Sequence, residues 1–410
     1  MYSLHFPHIY ESDVSFGEAV YDGNKRRIRS LQIKNKFGLD ADDGKLHILM
    51  VAGDKQACGH VRIELPSKYI NRNCEDIKVF PVSNLDPALL EWLDMVVWQR
   101  QSRDDLVMIR KACKAMGKPM IYETDDNFHA ILENSPAYLF YQKDSKSVVG
   151  IKKWIEECDY LTTSTDTLGK FYSKFNKNNA YTVLPNSLDF EDWPQPGIHS
   201  NKKIRIGWAG SMTHYNDLIK VAPAIHQLQK EFDIEFVMLG WDGYLKKWVK
   251  SEDQLKTVNL TNDGSGDALS GIKREHHNWT SVLTYPYALQ DLKLDIALAP
   301  LEENEFNASK SNIKVLEYWA SKIPVIATKY GPYNCIRSGV DGLLVKREHQ
   351  WYNKIRLLIE NKPLRLQLAE NGYKRVKAEF DMAKNYKLWA DFYRSIKIKT
   401  NERQQAETNI

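Results

Sequence analysis

The sequence is short of several things. It has five cysteines, Cys58, Cys74, Cys113, Cys158 and Cys335, an odd number, widely spaced and with no CxxC pair or Cys/His cluster. That argues against a disulfide framework and a zinc site and suits a reduced, cytoplasmic protein. No run approaches the roughly 20 apolar residues that cross a bilayer. The first residues, Met1 to His8, lack a basic segment followed by an apolar core, so no secretory leader is expected. No repeat and no low-complexity tract appears. Charge of one sign is not in excess either: 57 basic against 53 acidic residues leave +4, too little to argue for nucleic acid by itself.

What is present is an ordinary soluble composition, 43% hydrophobic and 27% charged, over 410 residues. That length suits two domains rather than one core. Residues 1–45 are polar and read as an extension, with a basic run from Lys25 to Arg29. Short apolar runs then alternate with helical patterns: Lys45–Gly53, Asp76–Phe80, Met95–Trp98, Pro119–Tyr122 and Tyr160–Thr163 read as strands, and Asp104–Met116 as a helix. After a Pro- and Asp-containing linker, Leu184–Pro194, the alternation restarts. Strands are expected at Lys203–Ala209, Phe236–Leu239, Ser281–Leu283, Asp295–Leu298, Pro324–Ala327 and Gly342–Val345, with a helix over Asp217–Phe232. Residues 244–280 read as an insertion of one helix and loops, and 347–397 as two or three helices. Such alternation indicates doubly wound α/β domains, whose ligands sit at the carboxyl ends of the strands.

The most informative stretch runs from Phe306 to Ala327. A loop leads into a helix that opens on Lys310-Ser311-Asn312 and carries one carboxylate, Glu317, further along; a strand follows. A helix start with free N–H groups, a hydroxyl and a lysine is suited to an anion. Glu317 is placed to accept hydrogen bonds from a sugar or ribose hydroxyl. The two features together describe a cradle for a nucleotide diphosphate and point to a nucleotide-sugar enzyme.

Five segments in order resemble the GT-B glycosyltransferases, in particular the retaining family 4 (glycosyl transferases group 1). They are Gly207–Leu218, Leu298–Leu301, Phe306–Ala320, Ile326–Tyr333 and Gly339–Val345. The resemblance covers about residues 45–395. It implies two Rossmann-like doubly wound domains facing each other across a cleft. The divisions expected are an extension over 1–45, an acceptor domain over 46–185, a donor domain over 186–375, and a C-terminal helix that crosses back with a tail over 376–410. It implies transfer of a sugar, with retention of anomeric configuration, from a nucleoside diphosphate sugar such as a UDP-sugar to a hydroxyl, with no metal or other cofactor required. On the donor it places Gly59, Arg62, Gly210, Ser211, His214, Lys310, Ser311, Asn312 and Glu317, with Lys310 also catalytic. Asp125 and Asp126 are placed on the catalytic, acceptor side.

The chain departs from the family at two places. The family's first donor-site glutamate is replaced by Ser309, and the arginine and lysine that often follow the first strand of the donor domain are replaced by Ser211, Thr213 and His214. Lys310 then has to supply most of the positive charge.

Plainer roles stand beside these. Lys310 and Ser311 can cap a helix, Glu317 can be an ordinary helical carboxylate, Asp125 and Asp126 can form a turn or cap, His214 can be a structural hydrogen-bonder, and Arg62 can be a solvated surface residue. His276 and His277 lack a third ligand nearby. Asp40 and Asp42 match a DxD metal motif but follow no strand. Trp241, Trp279, Tyr285 and Tyr287 fit either a nucleobase wall or core packing. The acceptor stays open between a glycan, a protein and a hydroxymethylated base in DNA, which Lys25–Arg29 and Lys397–Lys399 permit. An epimerase or a non-catalytic binding protein of the same fold is the alternative class. No membrane insertion is expected.

Overall fold

The computed structural model describes residues 43–54, 56–83, 87–197, 199–241, 246–251, 254–259, 267 and 269–408. Lys25–Arg29, Asp40 and Asp42 lie outside the described residues. The chain forms two compact units, and each is built from separate pieces of sequence. Unit 1 holds residues up to Asp125, Lys146–Pro185 and Met382–Ile410; unit 2 holds Asp126–Ser145 and Asn186–Asp381. The linker thus falls near 185, whereas residues 126–145, expected in the first domain, cluster with the second.

In unit 1, strands β1 (Leu46–Val51), β2 (Ile77–Val82), β3 (Met95–Gln99), β4 (Met120–Thr124), β5 (Tyr160–Thr163) and β6 (Thr182–Val183) form one parallel sheet in the order β2-β1-β3-β4-β5-β6. Parallel strands covered on both faces read as unbroken apolar runs, and β1 and β3 are buried at every position. The long helix Met382–Thr408 belongs to this unit. Its Trp389, Ala390, Tyr393 and Ile396 pack with Ile48, Met50, Val79, Val97 and Ile121 from one face of the sheet.

In unit 2, β7 (Ile204–Gly210), β8 (Ile234–Gly240), β11 (Arg274–Asn278), β12 (Ile296–Ala299), β13 (Val325–Thr328) and β14 (Leu343–Val345) form a second parallel sheet, ordered β11-β8-β7-β12-β13-β14. Alternate residues feed two separate cores. Ile206, Trp208, Phe236, Met238, Ile296, Leu298 and Ile326 point to one, and Ala209, Val237, Leu239, Ala297, Ala299, Val325 and Ala327 to the other. Period-2 alternation with apolar residues on both faces is what a sheet sandwiched between helices requires.

Three expectations are corrected. Ser281–Leu283 is a turn, and the edge strand lies earlier at Arg274–Asn278, where the exposed polar sequence hid it. Within 244–280 the described residues form an antiparallel pair, β9 (Lys246–Ser251) with β10 (Gln254–Asn259), and no helix. The Asp217–Phe232 helix is two, Tyr215–Ile219 and Ala222–Glu231, the second carrying a proline in its first turn.

Candidate active site

Strand order reverses between β7 and β12, each the partner of the other with outward neighbours on opposite sides. Such a switch point opens a crevice at the carboxyl ends of the strands. The pairing shows it directly: β12 follows β7 only at Ile206 and Gly207, whereas β8 follows it to Gly210. Past Gly207, the backbone groups of β7 on the β12 side need other partners. The helix Ile313–Ala320 supplies them. The Ala209 amide donates to the Tyr318 hydroxyl at 2.8 Å, and Lys314 Nζ donates to the Ala209 carbonyl at 2.6 Å.

Lys314 was not singled out from the sequence. Its Nζ also lies 4.5 Å from the centre of the Trp208 ring. A Cβ on Gly210 would stand 2.8 Å from that nitrogen, so the glycine leaves room for the ammonium. Gly240, at the matching end of β8, has φ +101, and a side chain there would strike the Gly210 carbonyl and the Trp279 ring.

The other donor-side candidates surround this point. After β7, His214 Nδ1 bonds Asp217 Oδ2 at 2.6 Å. Asp217 Oδ1 accepts from the Glu302 amide and from Asn307 Nδ2. Burial, then the charges of Lys310 and Lys314, bring His214 down to about 3, so its imidazole is neutral. Burial pushes the Asp217 carboxyl up, but the hydrogen bonds from His214 and the Glu302 amide, with the charge of Lys310, outweigh it and leave Asp217 below the usual range. An ionised Asp217 makes His214 Nδ1 the donor, which leaves Nε2 as an acceptor. Ser211 is exposed and bonded to Thr213.

The short helix Glu305–Ser309, capped by Asn304, stops before Lys310, which is extended with ψ 163. Lys310 Nζ lies 4.6 Å over the Phe306 ring, and among the described residues no carboxylate is within ion-pair distance of it. Ser311 and Asn312 have internal partners: Asn186 Nδ2 donates to the Ser311 hydroxyl at 2.9 Å, and Asn312 Nδ2 to Cys335 Sγ at 3.5 Å. Ser309 is fully buried; it donates to the Glu305 carbonyl and accepts from Asn127 of the 126–145 segment.

One turn beyond Lys314, Glu317 Oε2 accepts from the Tyr285 hydroxyl at 3.1 Å. Burial raises the Glu317 carboxyl to about 7, with Tyr285 and Lys314 opposing. Tyr285 meets Trp279 edge to face, at 6.2 Å between ring centres. Trp241 is buried against Trp208, so it is core, whereas Trp279 and Tyr287 keep exposed surface.

Unit 1 corrects two candidates. Arg62 is fully buried and cannot meet a donor. Its guanidinium pairs with buried Glu123 at 2.7 Å, donates to the Leu184 carbonyl and lies 4.7 Å over the Trp389 ring. Gly59 is also occupied structurally. Its amide donates to Asp54 Oδ1, and a Cβ would stand 2.0 Å from the Asp54 carbonyl oxygen. The switch point of this sheet, between β1 and β3, is held by Arg100, with φ +51, which bonds Asp54 Oδ2 at 3.0 Å and approaches Asp125 at 3.8 Å. Asp125 therefore sits at the expected end of β4, paired with a cation. Asp126 begins the segment that clusters with unit 2.

Residues 203–361 match the family described as glycosyl transferases group 1. That span contains Gly210, His214, Lys310, Lys314 and Glu317 together. The chain thus carries a glycosyl transferases group 1 domain over those residues. Its fold is similar to that of sucrose-phosphate synthase from Thermosynechococcus elongatus, at TM-score 0.60 and 11% identity over 87% of this chain and 100% of that one. It is similar too to HepE from Anabaena solved with UDP-glucose, at 0.59 and 12% over 85% and 100%. A glycosyltransferase from Rickettsia africae aligns at 0.55 and 15% over 86% and 98%. These likenesses establish the GT-B fold. No curated protein matches the chain, and among the described residues no helix is long and apolar enough to cross a membrane.

Two outcomes follow for stability. Arg62→Met strands a buried carboxylate, so unfolding free energy should fall by about 3 kcal/mol or more in denaturant titration, while nucleotide affinity per folded molecule stays unchanged. Glu317 is raised on folding, so its contribution is full below the ordinary carboxyl range and is lost as pH rises through about 7. Glu317→Gln escapes that loss, and its Tm relative to wild type should be higher at about pH 8.5 than at about pH 5.5.

Proposed function

We propose that the chain transfers a sugar from a nucleoside diphosphate donor, a UDP-sugar, to a hydroxyl acceptor, with the donor held by unit 2. The observation that carries this is the pair of lysines, Lys310 and Lys314, at the switch-point end of β7, with no carboxylate among the described residues paired to either. Breaking the anomeric C–O bond puts negative charge on the departing phosphate, and donors already in place for that charge are a large term in catalysis. Lys310, partly exposed and lying over a ring, is the group we assign to the leaving phosphate. Glu317, with Tyr285 fixing one oxygen, accepts from the donor's ribose. The UDP-glucose complex of HepE supports a uridine donor.

In this reading the lysines neutralise the diphosphate, so no metal is needed. The family resemblance supports retention, with the leaving phosphate taking the acceptor's proton. Asp125 lies on the acceptor side. A glycan, a protein or a modified DNA base can each supply the hydroxyl; Lys397, one cation of the tail run, is already paired with Asp94. Cysteines that form no disulfide among the described residues support a cytoplasmic setting.

The test is a panel of UDP- and GDP-sugars with release of free nucleotide followed by chromatography. We expect release with at least one UDP-sugar, a loss of about 100-fold in kcat/KM for Lys310→Ala, and no loss on adding a chelator. An altered sugar with no free nucleotide would replace the transferase reading by an epimerase. Activity lost to chelator and restored by a divalent ion would overturn the metal-free reading.

A further inference from the structure

Lys314 is short of counter-charge. It is 9% exposed, its Nζ touches a carbonyl and the face of an indole, and neither neutralises an ammonium. The titratable groups that act on it are Lys310, Asp217 and Glu317, with His214 on the same side of β7. Asp217 is committed to His214, the Glu302 amide and Asn307, and Glu317 to Tyr285. The nearby Tyr318 hydroxyl is occupied by the Ala209 amide. An ammonium has three N–H donors, and among the described residues only one finds an acceptor. The nitrogen stands beside Gly210, whose partly exposed backbone has no side chain to cover it.

We propose that Lys314 is a second diphosphate-binding residue that acquires its charge with the ligand: donor binding draws one proton from solvent onto Nζ. This rests on the donor-site reading above. The proton comes from water or buffer, the bond to the Ala209 carbonyl is kept, and no ligand bond breaks. Burial, then the charge of Lys310, brings the empty site's Lys314 down to about 7, with Asp217 and Glu317 opposing. A nearby diphosphate offsets the repulsion from Lys310 and supplies the counter-charge that the buried amine lacks. A lysine whose ammonium is favoured more in the complex than in the free protein makes binding weaken as pH rises above its free value.

The experiment is calorimetric titration of the full chain with UDP, at about pH 8, in buffers of different ionisation enthalpy. At that pH the terminal phosphate (second pKa ~6) is fully ionised and adds no linkage of its own. We expect uptake of about one proton per UDP, and affinity falling about fivefold from pH 7 to 8 and about tenfold from 8 to 9. Lys314→Arg, always charged, should bind UDP without that uptake. UDP binding with no buffer dependence in the wild type overturns the proposal while leaving the donor site standing, and so does unchanged uptake in Lys314→Arg. If no nucleoside diphosphate binds at all, the donor-site reading itself fails. Should the arginine variant not fold, the wild-type buffer comparison decides alone.

Discussion

The carboxyl end of β7 is where the architecture runs out of backbone partners, and what replaces them governs the site. A strand residue sends its amide and carbonyl to the same side, and at Ala209 that is the side from which β12 has departed. Leaving both groups unpaired would cost about 1–3 kcal/mol each. Two side chains a turn apart on the helix Ile313–Ala320, Lys314 and Tyr318, take them instead. The solution sets the position of Gly210 and everything after it. It also places a buried amine at this end of β7 that is in no ion pair with a described carboxylate.

The same helix carries Glu317 between those two positions, and both Lys314 and Glu317 are moved toward neutrality, from opposite directions, by burial. A buried amine and a buried acid close enough to oppose each other's shift are each uncomfortable when charged. Groups moved so far from their ordinary values collect at functional sites more often than elsewhere. His214 fits the pattern: repelled by two lysines and pinned by Asp217, it offers a lone pair in place of a charge. The departures from the family pattern thus change what kind of contact each position offers.

Much of this was legible in the sequence. Buried parallel strands are short apolar runs, and most of those expected match in place. The errors come from elements that do not need to be apolar. β11 is an edge strand of Arg274, Glu275, His276, His277 and Asn278, largely exposed, and its periodicity carries no hydrophobic signal. Lys310 stood out because a lysine at a helix start suits an anion, and Glu317 because a lone carboxylate in that helix can accept from a hydroxyl. Lys314 did not, yet a signal was there: a lysine among Ile313, Val315 and Leu316 faces the core and must find an acceptor. Arg62 misled for the converse reason. The family resemblance placed it on the donor, while its partners Glu123, Leu184 and Trp389 are distant in sequence and meet it only in three dimensions.

The chain's path through its two units has a further consequence. The helix Met382–Thr408 walls the core of the sheet whose strands end at Val183, and residues 126–145 leave that unit to join the one beginning at Asn186. A gene fragment ending at the linker would encode a sheet without one of its coverings and with a stretch belonging to the missing half. A cut at the linker therefore does not separate the two units; each is completed only by residues from the other side of it.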